Sequence, residues 1–506
     1  MRRNDVLRNS LPGLALIVAS VLPTVLSTSP TVVPPAGSAS VPTPAASPQP
    51  GQSHIFFGNL HAHTKYSDGS GTPAGAFAQA RDQGRLDFLA VTEHNHDKAE
   101  NGIGSGDPRK DGIMIATQPA LYNGADAASL ISTARRFTSD GAFVAIAGQE
   151  FSTISSGNHV NVFEVGKVID VASGDFKTLY DVFLPQNPDV LNESPLVQFN
   201  HPDFRADVEN AGTPATQKAN DYGLDDFGGD FAELVKHAEK FVSLIEIVSG
   251  PALKDGGNLA IGSSNRHEKD FWFYLSKGFH VAPTANQDNH FFTWGTITRA
   301  RTAVMADRLT AADLLRAMKA RRVYATEDEN LQLGFQVNGQ AMGSIIHTPG
   351  PMVLNIDVEI TDPDEPNAQY RVELYRGDIG GNIIEGATEE SLLEGNGKVT
   401  FGDQRYESGK VFFFIKVSQT GSDGKEDFAW TAPVWIEPGQ AVPPPGVTSP
   451  TPVATPQAAG FVHSRKSEIY HFANCADAAR IKPENRIASD TPPEDKTLHK
   501  NCPRVP

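Results

Sequence analysis

The chain has 506 residues, of which 39% are hydrophobic and 20% charged, and it carries a formal net charge of −17 at pH 7. This length allows roughly three domains, and the composition is typical of a globular protein with a large core. The negative charge argues against non-specific binding to nucleic acids and to anionic membrane surfaces, because both are polyanions.

The N-terminus has the pattern of an export signal. Arg2, Arg3 and Arg8 precede the apolar run "LALIVASVLPTVL", which contains Pro23 and is shorter than the roughly 20 residues of a membrane-spanning helix. We therefore expect residues 1–28 to be a cleaved signal peptide, with an uncleaved anchor as the alternative. The mature protein is then periplasmic or extracellular. Residues 29–53 follow as a linker rich in Pro, Ala and Ser.

Residues 54–330 alternate short apolar runs with helical patterns. The runs that predict buried strands are "LDFLAVTEH", "GAFVAIAGQEF", "PLVQFNHP", "FVSLIEIVSG" and "FHVAPTANQDNH". Helical stretches such as "TPAGAFAQARDQG" and "LTAADLLRAMKARR" lie between them. Strands alternating with helices predict an α/β fold with a parallel sheet or a βα barrel.

Residues 331–437 have a different pattern, with aromatic and β-branched runs bounded by Gly, Pro and Asp, as in "KVFFFIKVSQTGSDG". This pattern predicts a small all-β sandwich. Residues 438–460 form a second, Pro-rich linker before a small module at 461–506. That module holds the chain's two cysteines, Cys475 and Cys502, which could close one loop as a disulfide in an oxidising compartment.

Nine side chains that can bind metals lie at or near the ends of the predicted strands of the first region. They are His61 and His63 with Asp68 in "HAHTKYSDG", then His94, Glu150, His159, His201, Asp288 and His290. Because the C-terminal ends of barrel strands meet at one mouth, we expect these side chains to share a site. Imidazole and carboxylate are ligands that zinc, manganese and iron accept.

Each of these motifs alone has a simpler interpretation. Paired histidines are often structural, the Asp68 turn is typical of a turn former, His201 could be an ordinary loop histidine, and Glu150 could be a salt-bridge partner. Their occurrence together and in order favours a metal cluster. His96 and His267 belong to none of the motifs.

The stretches "HAHTKYSDG", "TEHN", "GQEFS" with "NHVNVF", "FNHPD" and "QDNH" resemble the motifs of the PHP (polymerase and histidinol phosphatase) superfamily of metal-dependent phosphoesterases. The resemblance covers residues 54–330, and "TRARTAV" with "RRVYAT" resembles the secreted subgroup that includes carbaryl hydrolases. It implies a distorted, TIM-like βα barrel. Two departures are Glu93, where an Asp is usual, and "QDNH", which replaces a small-residue version.

The resemblance also implies three metal positions and two or three divalent transition metals (Zn, Mn or Fe). The first is held by His61, His63, Glu150 and Asp288, the second by Glu150 with His159 and His201, and the third by Asp68, His94 and His290. The tail "SRKSEIYHFANCADAARIKPENR" resembles a small module that follows secreted nucleases and is related to the zinc-binding domain of the Ada repair protein. This second resemblance leaves a mixed site of His471, Cys475, His499 and Cys502 as an alternative to the disulfide.

A water that bridges two metal ions has its pKa lowered toward about 7, which yields a hydroxide nucleophile. We therefore predict a secreted hydrolase in which Glu150 and Asp288 are catalytic through the metals, and in which Ser67 is not a nucleophile. The resemblance to the superfamily implies a phosphate mono- or diester, small-molecule or nucleotide-like, as the favoured substrate, and Arg299 and Arg301 could complement such an anion. A carbamate, amide or ester hydrolase and a non-enzymatic metal-dependent binding protein are the alternatives. We expect no stable nucleic-acid partner and no membrane association beyond the export signal.

Overall fold

The computed structural model describes residues 53–95, 115, 118–151, 159–172, 174–202, 221–251, 265–382, 384–420, 424, 426–440, 461–472 and short pieces between 480 and 499. The chain divides into Met1–Pro48 and Gln49–Pro506, and every described element belongs to the second unit. The predicted signal peptide, nearly all of both linkers, His96, Cys475 and Cys502 lie outside the described residues. Among the described helices, none is long and apolar enough to cross a membrane.

Short helices and many strands alternate along the described residues. The α-helices are α1 Pro73–Asp82, α2 Ala120–Asn123, α3 Leu130–Phe137, α4 Phe176–Thr178, α5 Leu184–Gln186, α6 Phe231–Ala238, α7 Glu268–Lys277 and α8 Ala311–Lys319, with a π-helical turn at Leu179–Phe183 and a 3₁₀ segment at Asp221–Phe227. The strands of the first region are β1 His54–Asn59, β2 Phe88–His94, β3 Val144–Phe151, β4 Val160–Phe163, β5 Leu196–Phe199, β6 Val242–Ser249, β7 Asn265–Arg266, β8 Ala282–Ala285, β9 Arg301–Ala306 and β10 Val323–Thr326. Those that follow are β11 Gln332–Val337, β12 Gln340–Ala341, β13 Ile345–Thr348, β14 Met352–Thr361, β15 Gln369–Asp378, β16 Glu389–Glu394, β17 Gly397–Tyr406, β18 Val411–Thr420, β19 Glu426–Thr431, β20 Val434–Pro438, β21 Phe461–Ser464, β22 Ile469–Phe472, β23 Arg486–Ser489 and β24 Thr497–Leu498.

One large mixed sheet forms the centre of the fold, which confirms the predicted α/β class. Strands β1, β2 and β3 are parallel neighbours, as are β5, β6 and β8, whereas β4 runs antiparallel between β3 and β5. The antiparallel β4 departs from the predicted all-parallel pattern because only residues 152–159 separate it from β3. A parallel crossover needs about a dozen residues or more, so a connection of this length allows only an antiparallel return.

The chain segment that follows β8 lies beside the segment that follows β1. After β8, Asn289 forms a parallel bridge with Ala62, and its carbonyl accepts the backbone N–H of His63 at 2.8 Å. The side chain of Asn286 accepts the N–H of Leu60 at 2.7 Å. The segments that follow β1 and β8 are thereby held side by side. Strands β2, β3 and β6 are buried along their whole length, as expected for strands covered on both faces.

The second region is joined to the first through the same sheet. Strand β10 pairs with β19, so the hydrogen bonding continues across the predicted boundary at residue 330. A separate four-stranded sheet, in the order β12-β11-β14-β17, shares an apolar core with β15 and β18. The second region is therefore a sandwich of two sheets, and one of these sheets is a continuation of the large mixed sheet of the first region. The tail forms a further small sheet in the order β23-β21-β22-β24.

Candidate metal centre

All nine predicted ligands are described, and the structure brings their side chains together at the C-terminal ends of the parallel strands. His61, His63 and Glu150 form a floor that solvent does not reach, with side chains 0% exposed. His159 and His201 are 17% and 20% exposed and lie at the rim. The cluster is therefore closed on one side and open on the other, as a site for a small ligand requires.

Four of the ligands form a compact cage around the first predicted metal position. His61 Nε2 lies 3.1 Å from His63 Nε2, 3.3 Å from Glu150 Oε2 and 3.1 Å from Asp288 Oδ1. His63 Nε2 lies 3.2 Å from the same glutamate oxygen and 3.1 Å from the same aspartate oxygen. Five of the six edges of this cage are 3.1–3.3 Å long, and a regular tetrahedron with such edges has its centre about 2.0 Å from each corner, which is the usual length of zinc–nitrogen and zinc–oxygen bonds. The donor atoms thus fit a tetrahedrally bound divalent cation.

Glu150 faces two groups of histidines with its two carboxylate oxygens. Oε2 points toward the cage and also lies 3.0 Å from His94 Nδ1. Oε1 lies 2.9 Å from His159 Nδ1 and 3.2 Å from His201 Nε2. This is the arrangement expected of a carboxylate that bridges two cations, with His159 and His201 as ligands of the second.

The third predicted group is also assembled. Asp68 Oδ1 lies 3.2 Å from His290 Nε2 and 3.6 Å from His94 Nε2. Asp68 Oδ1 and His290 Nε2 are buried, and neither makes a hydrogen bond within the described part of the chain. Buried polar atoms of this kind are costly unless something satisfies them, and a cation between them would do so.

The charges of the cluster favour positive charge at its centre. Burial lowers the pKa of His63, but Asp288 and Glu150 outweigh burial and raise that pKa to about 10. Burial raises the pKa of Asp288, but His61 and His63 hold that pKa well below its usual range. Burial dominates at His94 and lowers its pKa to about 3, in spite of Glu150 and Asp68. The cluster therefore stabilises cations, and bound metal ions would replace the protons.

Two further carboxylates lie behind the ligands; the sequence interpretation missed Glu246, and it noted Glu93 only as a departure from the family motif that put its supporting role in doubt. Glu246 is fully buried on β6 and contacts His61, and Glu93 is fully buried on β2 and contacts the turn that follows His63. The signal that could have found them was a charged residue in the middle of an apolar strand, as in "FVSLIEIVSG". Such a residue is rare unless it is paired.

The structure does not bring Arg299 and Arg301 to the cluster. Arg299 pairs with Asp328 and lies 3.6 Å from Asp427. Arg301 is buried and donates to the carbonyls of Thr298, Ala300 and Gly295 at 2.9–3.0 Å. Burial lowers the pKa of Arg301 to about 10. These partners give the arginines structural contacts around the loop before β9, and neither arginine contacts the nine ligands among the described residues, so the predicted role in binding an anion stays a prediction.

A separate cluster of three acidic side chains was not predicted from the sequence. Asp328, Asp362 and Glu365 each place a carboxylate oxygen within 4.8 Å of the others. The Gln419 amide donates to Asp362 and Glu365 at 2.7 and 2.8 Å, and Arg299 pairs with Asp328. Side chains of the protein therefore already satisfy this group. His267, which matches no motif, caps the start of α7.

Comparison with known proteins gives limited information. No protein-family profile matches the chain. Two curated relatives are uncharacterized proteins, one from Chlamydia pneumoniae with 25% identity over 142 residues and one from Chlamydia trachomatis with 28% identity over 162 residues. These matches cover 27% and 30% of this chain but only 22% and 25% of the relatives, so the chain spans about a quarter of their length.

A solved structure is also similar in part. It is a two-domain protein from Bacteroides vulgatus described as containing a predicted PHP-like metal-dependent phosphoesterase, with a TM-score of 0.34 and 12% identity. The similarity covers 71% of this chain and 90% of that one. Similarity at this level supports no inference about function, so the case for a metal centre rests on the geometry of the nine ligands.

Proposed function

We propose that the chain is a metal-dependent hydrolase that cleaves small ester substrates at the cluster of nine ligands. The observation that carries the proposal is the cage of His61, His63, Glu150 and Asp288, whose donor atoms lie at the separations of a tetrahedral metal site. Two further groups of ligands adjoin it, and the cluster has an open rim. A binding protein without activity would need neither several adjoining positions nor the rim.

The residues of the chain have distinct roles in this proposal. Bound divalent cations would supply Lewis acidity and lower the pKa of water to about 7. Glu150 holds the first two positions together through its separate oxygens, and Asp288 completes the first cage. The buried floor excludes bulk water from one side, and among the described residues the partly exposed His159 and His201 mark the side from which a substrate would approach.

The charge balance connects metal occupancy with the substrate. Asp68, Glu150, Asp288, Glu93 and Glu246 place five carboxylates in or directly behind the cluster. Each further divalent cation makes the site more positive by two charges, so the form with three cations favours an anionic substrate more than the form with two. We therefore propose a phosphate mono- or diester as the substrate of the fully occupied site, in agreement with the resemblance of the motifs to PHP phosphoesterases.

A neutral carbamate, amide or ester is the second candidate, and the placement of the arginines favours it. Arg299 pairs with Asp328 and the buried Arg301 donates to backbone carbonyls, so neither contacts the cluster among the described residues. With only two cations the carboxylates outweigh the metal charge, which favours a neutral substrate. We also propose that the protein acts after export, as its N-terminal pattern predicts.

A metal titration combined with a substrate panel tests the proposal. The chain is stripped with a chelator, reloaded with one, two or three equivalents of zinc, manganese or iron, and assayed on aryl phosphates, bis-aryl phosphates and aryl carbamates. We expect no turnover without metal and a gain on phosphate esters that follows the third equivalent. Turnover by the metal-free chain, or no hydrolysis by any loaded form, would contradict the proposal.

A further inference from the structure

We propose that Glu246 and Glu93 are positioning residues that fix the ring orientation of His61 and His63, and that Glu246 additionally couples the first metal position to the second. This inference rests on the proposed metal centre and deepens it. It concerns two carboxylates that do not themselves belong to the nine ligands.

Glu246 holds His61 by a direct hydrogen bond. His61 Nδ1 donates to Glu246 Oε1 at 2.9 Å, and both side chains are fully buried. The same oxygen accepts the Asn286 amide at 3.0 Å. Because the ring proton of His61 lies on Nδ1 in this arrangement, the lone pair of Nε2 points into the cage. A carboxylate behind a metal-binding histidine fixes the tautomer and raises the basicity of the ligand atom.

Glu93 acts on His63 through Ser67. The hydroxyl of Ser67 donates its single proton to Glu93 in a short hydrogen bond, so its oxygen must accept the Nδ1 proton of His63, which lies 3.3 Å away. Glu93 also accepts the backbone N–H of Thr64 at 3.1 Å. The turn that follows His63 is therefore fixed on the same carboxylate. Both histidines then direct an unprotonated Nε2 into the cage, and a cation between these two atoms, which lie 3.1 Å apart, would relieve the repulsion of their lone pairs.

Glu246 also reaches the second metal position. Its other oxygen, Oε2, accepts the backbone N–H of His201 at 2.7 Å. The backbone of His201 has a φ of 28°, a conformation that is unfavourable for a residue with a side chain. One carboxylate thus holds His61 through its ring and His201 through its backbone, whereas the contacts of Glu93 lie in the segment of His63 alone.

This difference gives each carboxylate its own expected effect on metal binding. Loss of Glu246 should weaken the first and second positions together. Loss of Glu93, or of the Ser67 hydroxyl, should weaken the first position, which uses His63, and leave the position of His159 and His201 unchanged. General damage to the fold would lower all affinities without this pattern.

The experiment uses the full chain and the variants Glu246→Gln, Glu93→Gln and Ser67→Ala. Glu164→Gln is the matched control, since Glu164 accepts the Ala147 N–H at 2.7 Å on the neighbouring strands. Each metal-free protein is titrated with zinc against a chelator of known affinity. We expect Glu246→Gln to weaken two classes of site by about 10–100-fold, and Glu93→Gln and Ser67→Ala to weaken one class by the same factor.

A second measurement separates positioning from stability. In the zinc-loaded wild type, ¹H–¹⁵N spectra should show His61 with its proton on Nδ1 in a strong hydrogen bond, and Glu246→Gln should shift that resonance. Wild-type affinities and an unshifted resonance in Glu246→Gln would overturn the inference, as would an equal loss in the Glu164→Gln control. If the wild type itself binds no zinc, the proposed function fails first, and this inference fails with it.

Discussion

Replacing Glu150 by glutamine is the substitution expected to have the largest effect on the site. The change keeps the size of the side chain but removes a negative charge that lies 2.9–3.3 Å from His61, His63, His94, His159 and His201. Glu150 is fully buried, so solvent cannot replace the lost charge. Removing one partner from a buried charge pair costs about 3–5 kcal/mol, which corresponds to roughly two to three and a half orders of magnitude in metal affinity.

The assay for Glu150→Gln is zinc content at fixed free zinc, measured together with turnover. We expect the variant to lose metal from the first and second positions and to lose its activity with the metal. The Glu164→Gln control should retain both, because burial already raises the pKa of Glu164 to about 7 and its carboxyl accepts the neutral backbone N–H of Ala147. Near wild-type metal content and turnover in Glu150→Gln would refute the bridging role.

Three further predictions concern the surroundings of the site. Gly69→Ala should lower metal affinity about tenfold or more, because an added Cβ would lie 2.6 Å from the backbone carbon of His63, whereas Gly166→Ala, with open space at its Cβ, should not. Arg301→Gln should lower the free energy of unfolding by about 1–3 kcal/mol, because the backbone carbonyls that accept hydrogen bonds from Arg301 would lose their donor. Catalytic efficiency should change equally for phosphates and carbamates, and a loss confined to phosphates would restore a role of Arg301 in substrate binding. His280→Gln should destabilise the protein more at pH 6 than at pH 9 in urea unfolding, because Glu239 and Glu437 outweigh burial and raise the pKa of His280. The stabilisation by protonated His280 is complete below the unfolded pKa of about 6.5 and is lost as the pH rises through the higher folded pKa, so equal destabilisation at both pH values would contradict this assignment.

The ligands could be predicted from the sequence because strand geometry is periodic. His61 and His63 are two residues apart just beyond the end of β1, with Nε2 atoms 3.1 Å apart on one side, and His94, Glu150 and His201 each lie at or just beyond the end of a buried strand. Parallel strands bring such positions to a common edge. The sequence pattern was sufficient to predict the ligands because their positions depend on where each strand ends and depend little on how side chains pack.

The supporting residues could not be predicted in the same way. The contact of Glu246 with His61 joins residues 185 positions apart, and β6, which carries Glu246, is not paired with β1, which His61 follows, so the contact depends on how the sheet curves. Arg301 follows the Asp288 motif closely, but its guanidinium turns toward the loop carbonyls, and side-chain direction is not encoded in spacing. The pairing of β10 with β19 likewise joins residues about a hundred positions apart, which no local pattern indicates.

The central claim of this account is that the nine ligands hold two or three metal ions in separate positions. Anomalous diffraction from crystals of the metal-loaded chain, collected at the absorption edge of the metal, tests it most directly. We predict one ion among His61, His63, Glu150 and Asp288, a second shared by Glu150, His159 and His201, and in the fully loaded protein a third among Asp68, His94 and His290. Anomalous peaks confined to other parts of the chain, or none at the cage after reloading, would contradict the account.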